Sequence, residues 1–83
     1  MKKTIYTDEY AVLLRLLIEK RANAGLTQVD LAKKLKSTQS FVSKIERGER
    51  RLDIIQLRTI CGLLNVSLSD FVSDLEHELA ARR

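Results

Sequence analysis

Between Gln39 and Arg47 the chain sets an amide, two hydroxyls and two cationic groups on one side of a helical pattern: Gln39, Ser40, Ser43, Lys44 and Arg47. Val42 and Ile45 fall on the opposite, core-facing side. The outward group contains no carboxylate. Such a face is poor material for burial and well suited to the base edges and phosphate oxygens of a nucleic acid. A glutamine amide offers one donor and one acceptor, the pattern that meets adenine N7 and N6, and a lysine can donate to guanine O6 and N7. The charge distribution agrees. The formal net charge is +4, and residues 25–52 carry seven Lys or Arg against three Asp or Glu, whereas residues 53–83 carry three against five. That asymmetry suits a protein that sets one face on a polyanion. By itself, a basic run also describes an ordinary solvated surface.

Catalytic chemistry has little to draw on. A nucleophilic enzyme needs a nucleophile, a base and an orienting group. His77 is the single histidine and stands between Glu76 and Glu78 on a polar stretch. Cys61, the single cysteine, falls on the apolar face of a helical pattern and reads as a small buried filler. One His and one Cys do not complete a structural zinc site. Asp70, Asp74, Glu76 and Glu78 read as solvated helix charges rather than a metal cluster, and there is no glycine-rich phosphate loop. No catalytic residue, metal or cofactor is expected. A lone cysteine makes no intramolecular disulfide. Arg15 interrupts the longest apolar run, residues 11–18, and the opening MKKTIYTDEY lacks the apolar segment of a secretory signal. A cytoplasmic location with no membrane partner follows as the expectation.

The elements that must hold the Gln39–Arg47 face read as helices throughout. Proline is absent and glycine occurs three times, which favours helix. Residues 1–6 form an arm in which Lys2 and Lys3 either touch phosphate or fray in solvent. Thr7 caps a first helix that opens on Asp8 and Glu9, acids favoured at the positive end of the helix dipole. Tyr10, Leu13, Leu14, Leu17, Arg21 and Ala24 define its inward face, and Gly25 stops it. Val12, Leu16 and Ile18 lie off that stripe and give the helix more apolar surface than one small core requires. Thr27 and Asp30 form a capping box for the second helix, with Asp in place of the usual Glu or Gln. Leu31, Ala32, Leu35 and part of Val29 point inward; Lys33, Lys34 and Lys36 point outward. Thr38 caps the third helix, from Gln39 to about residue 47, and Gly48 ends it. After a charged connection over residues 49–52, Asp53 and Gln56 pair as the cap of a fourth helix with Ile54, Leu57, Ile60, Cys61 and Leu64 inward. It stops at Asn65. Ser67 opens the fifth, whose stripe is Leu68, Phe71, Val72, Leu75 and Leu79. The expected fold is all-α: five helices in one domain over residues 1–83, with an extended C-terminal helix.

The run LTQVDLAKKL, a three-residue turn, then TQSFVSKIERGERRLD closely resembles the helix-turn-helix of lambda-repressor-like regulators, the Xre or Cro/C1 family. The resemblance spans about residues 9–72, with the helix-turn-helix itself at 27–47. It implies a role for each matching position. Gln28 contacts a phosphate and braces Gln39. Thr38 caps the recognition helix and approaches the DNA backbone. Gln39, Ser40 and Lys44 face base edges in the major groove, with Ser43 close by. Arg47 holds a phosphate, and Arg50 joins the DNA-contacting group. Arg21 pairs with Glu46 and ties the first helix to the third. Two positions depart from the family pattern. Lys36 stands where the turn usually has Gly, so it must accept a strained backbone or a different turn. Ser37 replaces a small apolar residue, and a looser turn is expected. Phe41 either packs at the edge of the core or meets a sugar or thymine methyl.

A single recognition helix reads few base pairs, and the family pairs two copies across a palindrome with half-sites about one turn of DNA apart. The surplus apolar side chains of the first helix, and the stripe that continues through Leu75 and Leu79, point to a homodimer through the helix at 67–82. The alternative is that this tail folds back on the first helix of its own chain. The resemblance implies a bacterial or phage regulator, nucleoid-associated in the cytoplasm, acting as a homodimeric repressor or autoregulator on a palindromic operator in double-stranded DNA. With no ligand-sensing domain expected, control falls to its own concentration, to degradation, or to a protein partner such as a toxin or antirepressor. Two other readings share the fold. One is the antitoxin of a toxin–antitoxin pair that represses its own operon. The other is a protein-interaction module that no longer binds DNA, against which the cationic, carboxylate-poor face argues.

Overall fold

The computed structural model describes residues 7–81, which form five α-helices: α1 (Asp8–Asn23), α2 (Gln28–Leu35), α3 (Gln39–Glu46), α4 (Ile54–Leu63) and α5 (Leu68–Ala81). No strand occurs among the described residues. Lys2, Lys3 and the cationic tail beyond residue 81 lie outside them.

Each helix begins at a side-chain oxygen that takes up a backbone donor left unpaired in the first turn. Thr7, Thr27, Thr38, Asp53 and Ser67 accept from the N–H of Tyr10, Asp30, Phe41, Gln56 and Asp70, respectively. At Thr27 and Asp53 the bond is reciprocated: the side chains of Asp30 and Gln56 accept from the cap residue's own N–H, each at 3.0 Å. Thr27's backbone N–H, then its hydroxyl, hold the Asp30 carboxyl below the usual carboxylate range.

The first four helices also end alike. A residue in left-handed conformation turns the chain, and the next N–H reaches back five residues to an orphan carbonyl, the Schellman arrangement. The turning residues are Gly25 (φ 77°), Lys36 (57°), Gly48 (79°) and Asn65 (63°). The back-bonds run from Leu26 to Arg21 (3.2 Å), Ser37 to Ala32 (2.9 Å), Glu49 to Lys44 (2.9 Å) and Val66 to Cys61 (2.9 Å). Lys36 therefore takes the strained backbone, and the expected loosening of the turn does not occur: both closing bonds are made.

The core is built around α1. Phe71, Leu17, Leu31, Ile45, Val42 and Cys61 are fully buried, each of the larger ones contributing about 1.5–3 kcal/mol of burial. Cys61 is packed in the core as a buried filler, and that burial pushes its thiol pKa up. Val12 and Leu16, expected off the packing stripe, are buried too. α1 is gripped from two sides, by α3 and by α5, and a helix covered on two sides buries more than one stripe. The apolar surplus of α1 thus belongs to its own core, with only Ile18 left exposed. Three residues expected to point inward, Val29, Ile54 and Val72, are exposed instead.

α5 lies along α1. Lys20 Nζ meets Asp74 at 2.6 Å and Arg15 meets Glu78 at 2.6 Å, while Leu75 and Leu79 pack half-buried against the core. Leu75 and Leu79 are thus packed at least in part within the chain, as the fold-back alternative has it, while Val72 of the same stripe stays exposed. Asp74 and Glu78 are ion-pair partners, as befits helix charges.

The left-handed cost at Lys36 is directly measurable. Lys36→Gly relieves about 1–2 kcal/mol of steric strain and gives back part of it as unfolded-chain entropy. A net stabilisation of about 0.5–1 kcal/mol is expected, a rise of several degrees in thermal midpoint for a chain this size. A lower midpoint would mean that the lysine side chain contributes more than the turn costs.

Candidate nucleic-acid interface

α2 and α3 pack against each other across the 36–38 turn. Val42 and Ile45 anchor α3 from below. With those two buried, Gln39, Ser40, Lys44 and Arg47 are exposed on one side and Ser43 is half-buried beside them. Thr38, also exposed, accepts through its oxygen as the cap and keeps its hydroxyl proton to donate.

Below this face lies a hydrogen-bonded network. Arg21 Nε donates to Glu46 Oε2 at 2.7 Å, its NH2 to Glu46 Oε1 at 3.1 Å and its NH1 to the carbonyl of Leu26 at 2.8 Å. The pair is largely enclosed, with the Glu46 side chain 5% exposed and that of Arg21 15%. Gln28 Nε2 donates to the same Glu46 Oε1 at 2.8 Å, and Gln39 Nε2 donates to Gln28 Oε1 at 2.6 Å. The Arg21–Glu46 pair and the Gln28–Gln39 brace are thus one network. The bond between Gln28 and Glu46 was not legible from spacing, because the two lie 18 residues apart on different helices.

The far end of the face carries an acid that sequence reasoning missed. Arg47 donates to Glu49 from Nε (2.9 Å) and NH2 (3.2 Å), and also to the Ser43 hydroxyl. Glu49 raises the Arg47 pKa further. The face is therefore carboxylate-free along α3 itself, but a carboxylate sits on its terminal arginine. The two residues are only two apart and span the Gly48 turn, where no helical spacing rule applies. Next to it, the Arg50 guanidinium lies 5.0 Å above the Phe41 ring. Phe41 packs half-buried against the core, the core-edge placement, and its ring also supports Arg50. The connection is tied to α1 as well: the Leu52 N–H donates to the Tyr10 hydroxyl at 3.2 Å, and Arg51 stacks on the Tyr10 ring at 4.7 Å.

All eight residues singled out from the sequence, Gln28, Thr38, Gln39, Ser40, Ser43, Lys44, Arg47 and Arg50, fall on α2, on α3 with its cap, or on the connection directly after α3. Their groups are two amides joined to each other, hydroxyls, an exposed ammonium and two guanidinium groups. That set can hydrogen-bond base edges and phosphates. No helix among the described residues is long and apolar enough to cross a membrane.

Comparison with known proteins gives the same picture. The helix-turn-helix family HTH_3 matches residues 17–71. A control protein of Mycoplasma sp, C.MunI, is 29% identical over 59 residues, covering 71% of this chain and 80% of that protein. The solved structure of an XRE-family like protein from Pseudomonas syringae pv. tomato superposes with a TM-score of 0.80 at 44% identity, covering 86% of this chain and 87% of the other.

The enclosed ion pair makes a stability prediction. Arg21→Ala leaves the Glu46 carboxylate without its cation, and loss of one partner of an enclosed pair costs about 3–5 kcal/mol. Urea unfolding should show a loss near the lower end of that range, since Gln28 remains. A loss under about 1 kcal/mol would place the pair with ordinary surface salt bridges.

Proposed function

The chain belongs to this helix-turn-helix family, of the Xre and Cro/C1 type, whose members are DNA-binding transcriptional regulators; on that premise we propose that it reads a specific palindromic operator as a homodimer and acts in the cytoplasm as a repressor or autoregulator. The observation that carries this reading is the Gln39 amide. It stands exposed at the start of α3, yet is held from below through Gln28 to an enclosed carboxylate. A solvent-facing amide without a function has no need of such support. In this reading Gln39, Ser40 and Lys44 face base edges, with Ser43 beside them. Gln28, Thr38, Arg47 and Arg50 face phosphates and set the register on the duplex. The similarity to a protein named as a control protein supports a regulatory role.

Pairing of two copies is part of the proposal, because α3 is eight residues long and spans only about 12 Å. Palindromic half-sites lie about 34 Å apart. With Leu75 and Leu79 of the α5 stripe packed half-buried on the core, the most exposed large apolar side chains available for pairing are at the start of α4. Ile54 and Ile55 are 57% and 67% exposed there. Ile55 lines a groove with Leu35, Phe41, Leu52 and Ile60 that also includes Lys36 and Ser37 of the helix-turn-helix turn. Contact between copies at this point would couple the spacing of the two α3 helices directly.

Selection of bound sequences from random duplex DNA at two salt concentrations tests the reading. An enriched palindrome with fixed spacing is expected; salt-sensitive binding without an enriched motif would reduce the face to an electrostatic patch. Gln39→Ala should relax preference at one base position in each half-site, whereas Arg47→Ala should weaken binding to all sequences alike and lower the salt slope by about one. Uniform loss from both variants would remove Gln39 from the base-reading group.

The pairing surface has its own test. Ile55→Glu should shift sedimentation toward monomer without altering helix content. An unchanged dimer fraction would rule out the α4 surface.

A further inference from the structure

The ion pair that joins α1 to α3 also reaches the outward face. Arg21 holds both oxygens of Glu46, Glu46 Oε1 accepts from Gln28 Nε2, and Gln28 Oε1 accepts from Gln39 Nε2. The chain has one possible direction. A carboxylate held by a guanidinium offers only acceptors, so it draws the amine end of Gln28 and not the carbonyl. Turned that way, Gln28 shows its carbonyl to Gln39. Gln39 must then answer with its own amine end, which leaves one N–H and the carbonyl oxygen of its amide. Neither is bonded to another described residue.

We infer that Glu46 is a specificity-determining residue. By fixing the sense of two amides in series, it makes Gln39 present one donor beside one acceptor, the complement of adenine N7 and N6. It also withholds the double-donor pattern that guanine O6 and N7 require. The inference rests on the DNA-reading role proposed above. Glu46 is a positioning residue: with its side chain 5% exposed, it acts on the base through Gln28 and Gln39. Gln28 is the necessary relay. Its second N–H stays available for a phosphate, so bracing and backbone contact do not compete.

Glu46→Gln preserves shape and removes the constraint. The substituted side chain carries a donor as well as an acceptor. Its carbonyl, in the Oε2 place, can keep the Arg21 Nε bond while its amine, in the Oε1 place, gives up the longer Arg21 NH2 bond and faces Gln28; both amides can then reverse. The measurement is the ratio of dissociation constants for two duplexes that carry adenine or guanine at the base position located by Gln39→Ala. Wild type, Glu46→Gln and Gln28→Leu are compared, each checked for cooperative unfolding. A bidentate contact discriminates by about 5- to 150-fold, and wild type should favour adenine within that range. In Glu46→Gln the ratio should fall to about twofold or less, while preference at the other positions and the salt slope stay as in wild type. A merely structural role would lower affinity for both duplexes and leave the ratio intact, and that result overturns the inference. If Glu46→Gln fails to fold, Gln28→Leu leaves the ion pair whole and breaks the relay; an unchanged ratio there overturns it equally. A wild-type protein that prefers guanine at that position refutes the relay alone. One that enriches no sequence refutes the DNA-reading role and the relay with it.

Discussion

A carboxylate in a largely apolar setting must be given partners or the fold does not close. In this molecule that requirement falls on Glu46, the last residue of α3. Its partners come from elsewhere in the chain: Arg21 from α1 and Gln28 from α2. Arg21 in turn binds the Leu26 carbonyl in the connection between those helices. Three helices and a connection are therefore oriented about one charge. Such a cluster adds little net stability over an apolar substitute of the same shape. What it does is penalise other packings, in which the carboxylate would be buried alone. The roll of α3 about its axis, and so the direction of every side chain on its outer face, follows from satisfying Glu46 at one end while Val42 and Ile45 fill the core.

This matters more because the two helices involved are short. α2 and α3 have eight residues each, and an isolated helix below about 12–15 residues is marginal in water. Their existence depends on their ends and their packing. Both ends are supplied: Thr27 and Thr38 cap the starts, and Lys36 and Gly48 close the ends with back-bonds. At Lys36 this closure is made against the intrinsic preference of the residue. The turn between α2 and α3 is thus held by bonds on both sides of a strained position, which fixes the angle at which α3 leaves the scaffold. A flexible turn would spoil the alignment of Gln39 with Gln28, two atoms 2.6 Å apart across it.

Helix starts and stops were legible in the sequence because each is a local signal. A Thr or Asp three residues before its backbone partner, or a Gly or Asn after an apolar run, declares itself within one turn of chain. All five starts fall where those signals put them. The family resemblance supplied the Arg21–Glu46 pair and the Gln28–Gln39 brace, both of which form. Exposure was harder to read. Periodicity puts Val12 and Leu16 outside the core because it describes one stripe, whereas α1 is covered on two sides. It puts Ile54 and Val72 inside for the same reason in reverse: each continues a stripe but is exposed in the fold. Glu49 is invisible to helical spacing because it reaches Arg47 around a turn. The common cause is that spacing reports which residues share a face, whereas only packing decides what covers it.

The arrangement of charge follows from the same packing. Read along the chain, α5 is acidic and the helix-turn-helix basic. In the fold, Asp74 and Glu78 engage Lys20 and Arg15, so the acids of α5 neutralise the cations of α1. Lys33, Lys34, Lys36 and Lys44 are exposed and form no ion pair among the described residues. Arg58 on α4 is likewise exposed and unpaired, so among the described residues most of the positive charge without an ion pair lies on the helix-turn-helix, which suits an orienting field toward a polyanion. Arg47 is the exception, since Glu49 and Ser43 already hold it. A phosphate that takes this guanidinium must displace a carboxylate, exchanging one charge-assisted bond for another. The net gain is smaller than for a free arginine, but the side chain is already ordered, so less conformational entropy is lost on contact. Any phosphate contact at that end of the face thus competes with a bond within the protein. At the other end, the direction of Gln39 is set by an uncontested chain of bonds from Glu46.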